Sequence, residues 1–455
     1  MWPGKSEFVE NFRFKNWAGT YTCNPEFYFR PENEAEISEI LSEAKKRRKI
    51  VRVVGRGYSP SNLCCTTDFM ISTEKMNRII EVDEQNFTVK VEGGIVVSDL
   101  IDELERYDMA MDVLPSLSHF SLAGMISTAS HNTGSKHHVT TDYVLELEIL
   151  TADGQLITCS KTQNADVFYA AAAGLGAFGV ILRLKLQCTK LYALKVSNFC
   201  LDFNEGIENL ELISRESMYA RIFYIPLISR LIIQHVDKIS AEKLPKKAGL
   251  WSKFYNFIKN ELIGYHLFEF LMYLSVKFDN KFLKIINEFY FRLFYDGEWT
   301  KIDTYKNVFT VEVKIKQYAM EYAIPINKAP NAMKKLHKIL LTNRKRFPAH
   351  FPCEIRFVES DGFFLSPAYG RNSAYLNILA FRPYGREPPH RLEYWSFFEE
   401  VMRQADGRPH LAKDHGWSKG DMRQNFPKFE LFCQIRRKMD PEGRFMNDYI
   451  KRICE

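Results

Sequence analysis

The sequence predicts an α+β protein of two domains, and three features carry that prediction. At 455 residues the chain exceeds the roughly 250–300 residues at which one hydrophobic core stops growing, which argues for two or three domains. Up to Cys188, helical spacing of apolar residues alternates with short β-branched runs. Beyond it the composition shifts towards aromatics, which assigns residues 20–190 to one unit and residues 191–455 to the other. Hydrophobic residues make up 46% and charged ones 26%, the balance of a folded chain.

In chain order, residues 33–49 place Ile37, Ile40, Leu41 and Ala44 at helical spacing, with acids in the first turn and bases in the last, as the helix dipole prefers. A strand follows over residues 50–54, and residues 69–73, 78–82 and 87–94 read as further short strands. Residues 98–107 form a second helix, capped by Ser98, with Leu100, Ile101 and Leu104 on one face. After Asp142, alternating Leu145, Leu147 and Ile149 lead to an Asp153-Gly154 turn and a returning strand, a hairpin. Residues 164–174 are helical, and residues 179–188 form a strand in which Ile181, Arg183 and Lys185 alternate.

The second unit holds an aromatic block over residues 251–295, with Lys243, Lys246, Lys247, Lys253 and Lys259 at its start. Residues 262–276 are apolar but carry Glu269, and they fall short of the roughly 20 apolar residues that span a bilayer. Two readings fit: a segment lying flat in a membrane interface, or a buried or oligomer-forming helix pair. Net charge is +6 with no long basic run, which argues against a nucleic-acid partner. The nine cysteines form no CxxC pair, so neither a zinc site nor a disulfide scaffold is expected. They read as reduced thiols in a cytosol-facing protein. Residues 1–14 are charged and show no apolar core, so no signal peptide is expected there.

Three glycine-bearing loops carry the chemistry. In VRVVGRGYSPSN, residues 51–62, a β-branched run stops at Gly55 and Gly57, which flank Arg56 and precede Tyr58, Ser59 and Pro60. Glycine lets backbone N–H groups approach an anion. Pro60 biases the chain away from a helix, and neither an ATPase nor a hydrolase pattern is present, so a nest of backbone donors remains. SLAGMISTASHNTGS, residues 121–135, gathers small and hydroxylic residues rich in donors. GLGAFG, residues 174–179, matches GxGxxG formally, but it follows a helix and opens a strand, the reverse of a Rossmann turn.

Further along, Glu354 and Arg356 sit two apart in a strand-like run and so share a face, where they could hold a polyol or lactone by charge-assisted hydrogen bonds. A cross-strand surface pair is the alternative. Lys413 in HLAK is either a cation that stabilises developing negative charge or a solvated lysine, and His410 either orients substrate or is structural.

Together, strand-GxGxSP, VEGG, AGxIxTxxHxTG, ELxxADG and GLGxxGVI resemble the FAD-binding domain of the vanillyl-alcohol-oxidase, or PCMH-type, flavoproteins. FPCEIRF, LSPAYGRNSAYLNI, FRPYG, GRPHLAKDHG and FELFCQIRRKMDPEGRFMNDYIKR are similar to the aldonolactone oxidoreductases of that family, as is NFRFKNWAGTYTCNPEFYFRP near the start. The similarity covers nearly the whole chain and is weakest over residues 204–306.

The resemblance implies a PCMH-type FAD-binding domain followed by an α+β substrate, or cap, domain, with the C-terminal tail returning to the cofactor. It implies FAD held by Gly55, Arg56, Gly57, Tyr58, Ser59 and Pro60, by Ser118, Gly124, Ser127, His131, Thr133 and Gly134, and by Gly176, Gly179 and Ile181. It makes Glu354, Arg356 and Lys413 catalytic and gives Glu354, Arg356 and His410 the substrate. It assigns no metal. The implied reaction is oxidation of an aldono-1,4-lactone, L-gulono-1,4-lactone, at carbon 2 to give ascorbate, with oxygen reduced to hydrogen peroxide. The alternatives are an alditol or sugar oxidase, a lactone dehydrogenase using another acceptor, and a flavin-binding or flavin-less protein whose catalysis has decayed. Animal members carry a flavin-linking histidine where Tyr58 stands, so FAD is expected to be non-covalent. Association with the endoplasmic reticulum membrane is the expectation that accompanies the interfacial reading.

Overall fold

Why the first helix leaves one strand and returns to another is a matter of sheet geometry. In the computed structural model, which describes residues 4–245 and 250–455, β1 (Glu7–Glu10), β2 (Phe27–Arg30), β3 (Val51–Val54) and β4 (Phe69–Ser72) form one sheet ordered β1-β2-β4-β3. Both β2 and β3 run parallel to β4. Parallel strands need a crossover, which the helix Glu34–Arg47 supplies between β2 and β3 while burying Ile37, Ile40, Leu41 and Ala44. Asn33 caps it, accepting from the Glu36 N–H at 3.1 Å.

The second sheet is antiparallel: β5 (Ile79–Asp83), β6 (Thr88–Glu92), β7 (Val144–Leu150), β8 (Leu156–Ser160) and β9 (Val180–Gln187), ordered β8-β7-β9-β6-β5. The β7–β8 turn uses Gly154 at φ +75°, a conformation that a side chain would strain. The helix Val97–Leu104 corrects the capping expectation. Its N-cap is Val96, and Ser98 lies inside it, because the Val97 and Ser98 N–H groups donate to the Phe120 and Ser118 carbonyls at 3.0 and 2.8 Å. Backbone partners from a distant loop take the place of a serine hydroxyl.

The remaining strands build an eight-stranded sheet: β10 (Tyr192–Asp202), β11 (Tyr219–Ile225), β12 (Arg230–Ser240), β13 (Trp299–Thr304), β14 (Gln317–Pro325), β15 (Cys353–Val358), β16 (Ser373–Phe381) and β17 (Arg408–Pro409). Their order is β13-β10-β12-β11-β15-β16-β14-β17. Alternation separates the two faces. The Tyr224 hydroxyl is hydrogen-bonded to His337 Nδ1 of the helix Ala329–Thr342 at 2.7 Å, and the Tyr322 ring meets Phe398 of the helix Arg391–Gln404. Their neighbours Phe223 and Glu321 therefore face away from the helices, towards a cavity.

The aromatic block forms the helix Leu250–Phe257, a wider π-helical segment Ile258–Leu267, and the helices Phe268–Lys277 and Leu283–Phe294. Among the described residues no helix is long and apolar enough to cross a membrane. Glu269 is buried and accepts from the Tyr384 N–H at 3.0 Å, which explains an acid within an apolar run. Lys246 and Lys247 lie outside the described residues, as does the side chain of Lys253.

The C-terminal segment folds back onto the first sheet. The Asp440 carboxylate accepts from the Arg444 and Phe445 N–H groups at 2.8 and 2.9 Å, which closes the turn after the helix Phe429–Met439. Val51 N–H then donates to the Arg444 carbonyl at 2.7 Å, and Asn447 Nδ2 donates to the carbonyls of Leu63 and Cys65 at 2.9 Å each.

Candidate active site

A cavity of about 780 Å³ lies between the glycine loops and the face of the eight-stranded sheet turned away from the helices Ala329–Thr342 and Arg391–Gln404. Of the residues selected from sequence, Gly55, Arg56, Gly57, Tyr58, Ser59, Pro60, Gly124, Ser127, His131, Gly176, Gly179 and Ile181 line it from the first unit. Glu354, Arg356, His410 and Lys413 line it from the second. Ser118, Thr133 and Gly134 do not. The Ser118 carbonyl serves the helix at Val97, Thr133 Oγ1 is bonded to the Ala220 carbonyl and the Phe357 N–H, and Gly134 N–H donates to the Phe357 carbonyl at 2.7 Å. The last two stitch the small-residue loop to β15 and so fix the distance between the two walls.

The first loop is shaped to leave its donors open. Its carbonyls are tied back, Gly57 to Trp17 N–H at 2.8 Å, Ser59 to Asn16 Nδ2 at 3.1 Å and Pro60 to Thr20 Oγ1 at 3.1 Å. No partner for the N–H groups of residues 55–59 occurs among the described residues. A Cβ on Gly55 would stand 1.7 Å from Ser121 Oγ, so only glycine lets the first two loops approach this closely. Tyr58 stacks on Trp17 (centroids 5.5 Å apart, planes at 14°), and Phe120 meets it edge-on. Burial raises its phenol pKa, which keeps it neutral.

The cavity floor is a polar row that strand register assembles. Arg221 on β11 stands opposite Arg356 on β15, which stands opposite Tyr375 on β16. One step along, Phe223, Glu354, Asn377 and Glu321 follow across β11, β15, β16 and β14. The Arg356 guanidinium donates to the Glu354 carboxylate, and Lys413 Nζ donates to Glu321 Oε2 at 2.7 Å. His131 Nε2 lies 3.4 Å from the same oxygen, and the His131 and His410 ring centroids are 5.8 Å apart.

Burial pulls the Glu321 carboxyl up, but the Lys413 charge and His131 outweigh it and hold the group well below the usual carboxylate range. Burial lowers Lys413 and His131 and pushes His410 down to about 3, so the His410 imidazole is neutral at pH 7. Arg356, pushed down to about 10 by burial, keeps its charge. His131, Glu321 and His410 hold potential ligand atoms within 4.8 Å of one another, but the Lys413 ammonium already supplies the cation at Glu321.

Three residues here carry no sequence motif: Glu321, Arg221 and Arg52. Arg52 is buried and donates to the carbonyls of Leu63, Leu175, Gly176 and Phe445 at 3.0, 2.9, 3.3 and 2.9 Å, joining the first loop, the last glycine turn and the C-terminal tail. Each is a single charge inside an apolar strand run, which is the signal that could have revealed them.

A family model described as D-arabinono-1,4-lactone oxidase matches residues 184–453, and an FAD binding domain model matches residues 25–160. The chain belongs to the D-arabinono-1,4-lactone oxidase family. An L-gulonolactone oxidase from Bos taurus is 38% identical over 97% of this chain and 98% of its own, and the one from Mus musculus is 37% identical with the same coverage. Among solved structures, cholesterol oxidase from B. sterolicum superposes with a TM-score of 0.81 over 99% of this chain and 98% of its own at 13% identity, a likeness of fold alone. This member of the lactone oxidase family is thus an FAD-dependent oxidoreductase with a PCMH-type flavin domain followed by a second domain. The cavity fits the dinucleotide. Open N–H groups line one wall, and the buried Ser116 Oγ, Glu321 Oε1 and Arg356 Nε, all on lining residues, have no partner among the described residues.

Proposed function

We propose that the protein oxidises an aldono-1,4-lactone, L-gulono-1,4-lactone, at carbon 2 to an ascorbate-type product, with oxygen as acceptor. The observation that carries this reading is the meeting, in one cavity, of the open glycine loops with the charged floor of Glu354, Arg356, Glu321 and Lys413. The names of the Bos taurus and Mus musculus relatives support it. FAD, when bound, supplies the acceptor for the hydrogen on carbon 2 and passes the electrons on. Glu354, Arg356 and Asn377 face the cavity side by side and bind the lactone's hydroxyls and carbonyl, orienting carbon 2. The Glu354 carboxylate takes the hydroxyl proton, and Arg356 shares the charge. Lys413, held by Glu321, keeps a positive charge at the floor where negative charge develops.

FAD is held without a covalent bond. Tyr58, a phenol that burial keeps neutral between Trp17 and Phe120, is a weaker nucleophile towards a flavin methyl group than a phenolate or an imidazole. The test of the whole reading is an anaerobic titration of the FAD-loaded protein with L-gulono-1,4-lactone. Bleaching of the flavin absorption, reversed on admitting oxygen with formation of hydrogen peroxide, is expected; bound flavin that never bleaches would refute the substrate. Flavin released on acid denaturation supports non-covalent attachment.

The helical block is proposed to rest on the cytosol-facing side of a membrane, that of the endoplasmic reticulum. Trp251, Phe254, Tyr255, Phe257, Ile285 and Phe289 are exposed there, with Trp251 at 86%, and Lys243 and Lys259 accompany them. Flotation with anionic vesicles should carry the protein upward, and recovery wholly in the lipid-free fraction would sink this assignment.

A further inference from the structure

We infer that Arg221 holds the oxidised product as its anion, so that the site binds the ionised product more tightly than the neutral lactone. The inference rests on the lactone-oxidising reading above and adds to it the residue that distinguishes product from substrate.

Three cations face the floor, Arg221, Arg356 and Lys413, against two carboxylates, Glu354 and Glu321. Glu354 is taken by Arg356 and Glu321 by Lys413. His131 and His410, both bases, bring no negative charge to cancel the third cation. Among the described residues Arg221 is left with neutral partners: Gln234 Oε1 at 3.0 Å, the Val308 carbonyl at 3.3 Å, and the Phe223 ring, 5.1 Å from its guanidinium carbon. It is 9% exposed. Burial pushes it down only to about 10, so it stays charged at neutral pH. The phenol of Tyr295, the other titratable group acting on it, is held neutral by burial.

The arginine is built in. Gln234 Nε2 donates to Asn198 Oδ1 at 3.3 Å, which fixes the amide so that its oxygen faces Arg221. Register puts Arg221 directly across from Arg356, so two guanidiniums stand on neighbouring strands of one face. An uncompensated buried cation is unfavourable unless a ligand supplies the missing negative charge.

The lactone does not supply it, since its hydroxyls and ester are neutral. The oxidised lactone does. The 2-keto product tautomerises to an enediol conjugated to the lactone carbonyl, a vinylogous acid that releases a proton to solvent and spreads the charge over two oxygens. A planar guanidinium matches such a delocalised anion. Of substrate and product, therefore, only the product supplies the charge that Arg221 lacks.

The test compares binding to the FAD-loaded protein, reduced beforehand and kept anaerobic so that the lactone cannot react, by calorimetry, of ascorbate, its non-ionisable 3-O-methyl ether and L-gulono-1,4-lactone. The wild type should bind ascorbate at least tenfold more tightly than the ether. Arg221→Gln should abolish that preference while changing lactone affinity less than threefold, and Arg221→Lys, which keeps the charge, should restore part of it. Equal affinity of the wild type for ascorbate and its ether would overturn the inference without touching the lactone reading, which fails separately if the lactone leaves the flavin unbleached. A proportional loss for lactone and ascorbate in Arg221→Gln would make the residue a hydroxyl holder instead. Should Arg221→Gln not fold, the wild-type comparison and Arg221→Lys decide.

Discussion

Glu321 sets the charge state of the cavity floor through one oxygen. It is buried, and its carboxylate is what keeps Lys413 protonated against the desolvation that lowers the lysine. In Glu321→Gln that support is gone, so the Lys413 pKa falls further. If the ammonium is needed for turnover, the alkaline limb of kcat/KM moves to lower pH, with kcat down about tenfold or more. A pH profile of the FAD-loaded variant checks this; an unmoved limb would remove Lys413 from the chemistry. No limb arises from His410 near neutrality, because burial keeps it uncharged down to about pH 3. Glu354→Gln preserves bulk and removes the proton acceptor, so turnover should fall roughly 10²- to 10⁴-fold with flavin content unchanged, and parallel loss of flavin would reassign the residue to cofactor binding. The Glu354 and Arg356 pair was legible because the strand period of two is local. Glu321, Arg221 and Arg52 were not, since each stands alone in an apolar run, QYAMEYAIP, YARIFYI and VRVV. Their roles follow from register, Glu321 opposite Asn377 and Arg221 opposite Arg356, between segments 56 and 135 residues apart, and no local pattern encodes that.

Between elements, the close approach of the first two loops depends on a missing side chain. In Gly55→Ala the new Cβ would meet Ser121 Oγ at 1.7 Å and Ser121 Cβ at 2.7 Å, while Ser121 Cα lies at 3.8 Å. The clash thus comes almost wholly from the serine side chain, and Ser121→Gly should relieve it. Gly55→Ala is expected to lose most bound FAD, and the double variant to recover it. Failure of the recovery, with both proteins folded by circular dichroism, would mean that Gly55 serves something besides spacing. A second element carries a pH signature. Asp361, in the connection from β15 to β16, accepts from Ser366 Oγ at 2.5 Å and from the Phe363 N–H at 2.9 Å, and burial raises its carboxyl from the ordinary 3.8 to about 7. The folded state therefore holds a proton that the unfolded chain has already released, so this group makes stability fall as pH rises from about 4 to about 7. Asp361→Asn should flatten that part of the profile in thermal melts, and an unchanged slope would assign it to other groups. The helix starting at Val97 shows why such contacts escape a local reading: the sequence offers Ser98 as a cap, and two carbonyls of a later loop serve instead.

For the molecule as a whole, the cavity exists only while two units and a tail are held together. Ser61 Oγ reaches the Ala412 carbonyl at 2.9 Å, which seats the Lys413 segment against the first loop, and Gly134 ties the second loop to β15. Arg52 is the hub of this arrangement, because its guanidinium serves four carbonyls from three segments that no sequence neighbourhood connects. A methionine at this position would fill much of the same volume but leave those carbonyls without their donor in a buried setting, at roughly 1–3 kcal/mol for each unsatisfied group. Part of that loss would be absorbed by relaxation, and the segments that relax, the first loop and the last glycine turn, are the ones that line the cavity. The expected result for Arg52→Met is therefore coupled: a lower melting temperature and an FAD dissociation constant raised at least tenfold. Because a ligand bound only by the folded state stabilises it in proportion to the logarithm of its concentration over its dissociation constant, excess FAD should recover part of the lost melting temperature. If melting falls while flavin affinity stays at the wild-type value, Arg52 pins the core without shaping the cavity. Shared loss and shared recovery would show that the tail, the two glycine loops and the cofactor site fold as one unit.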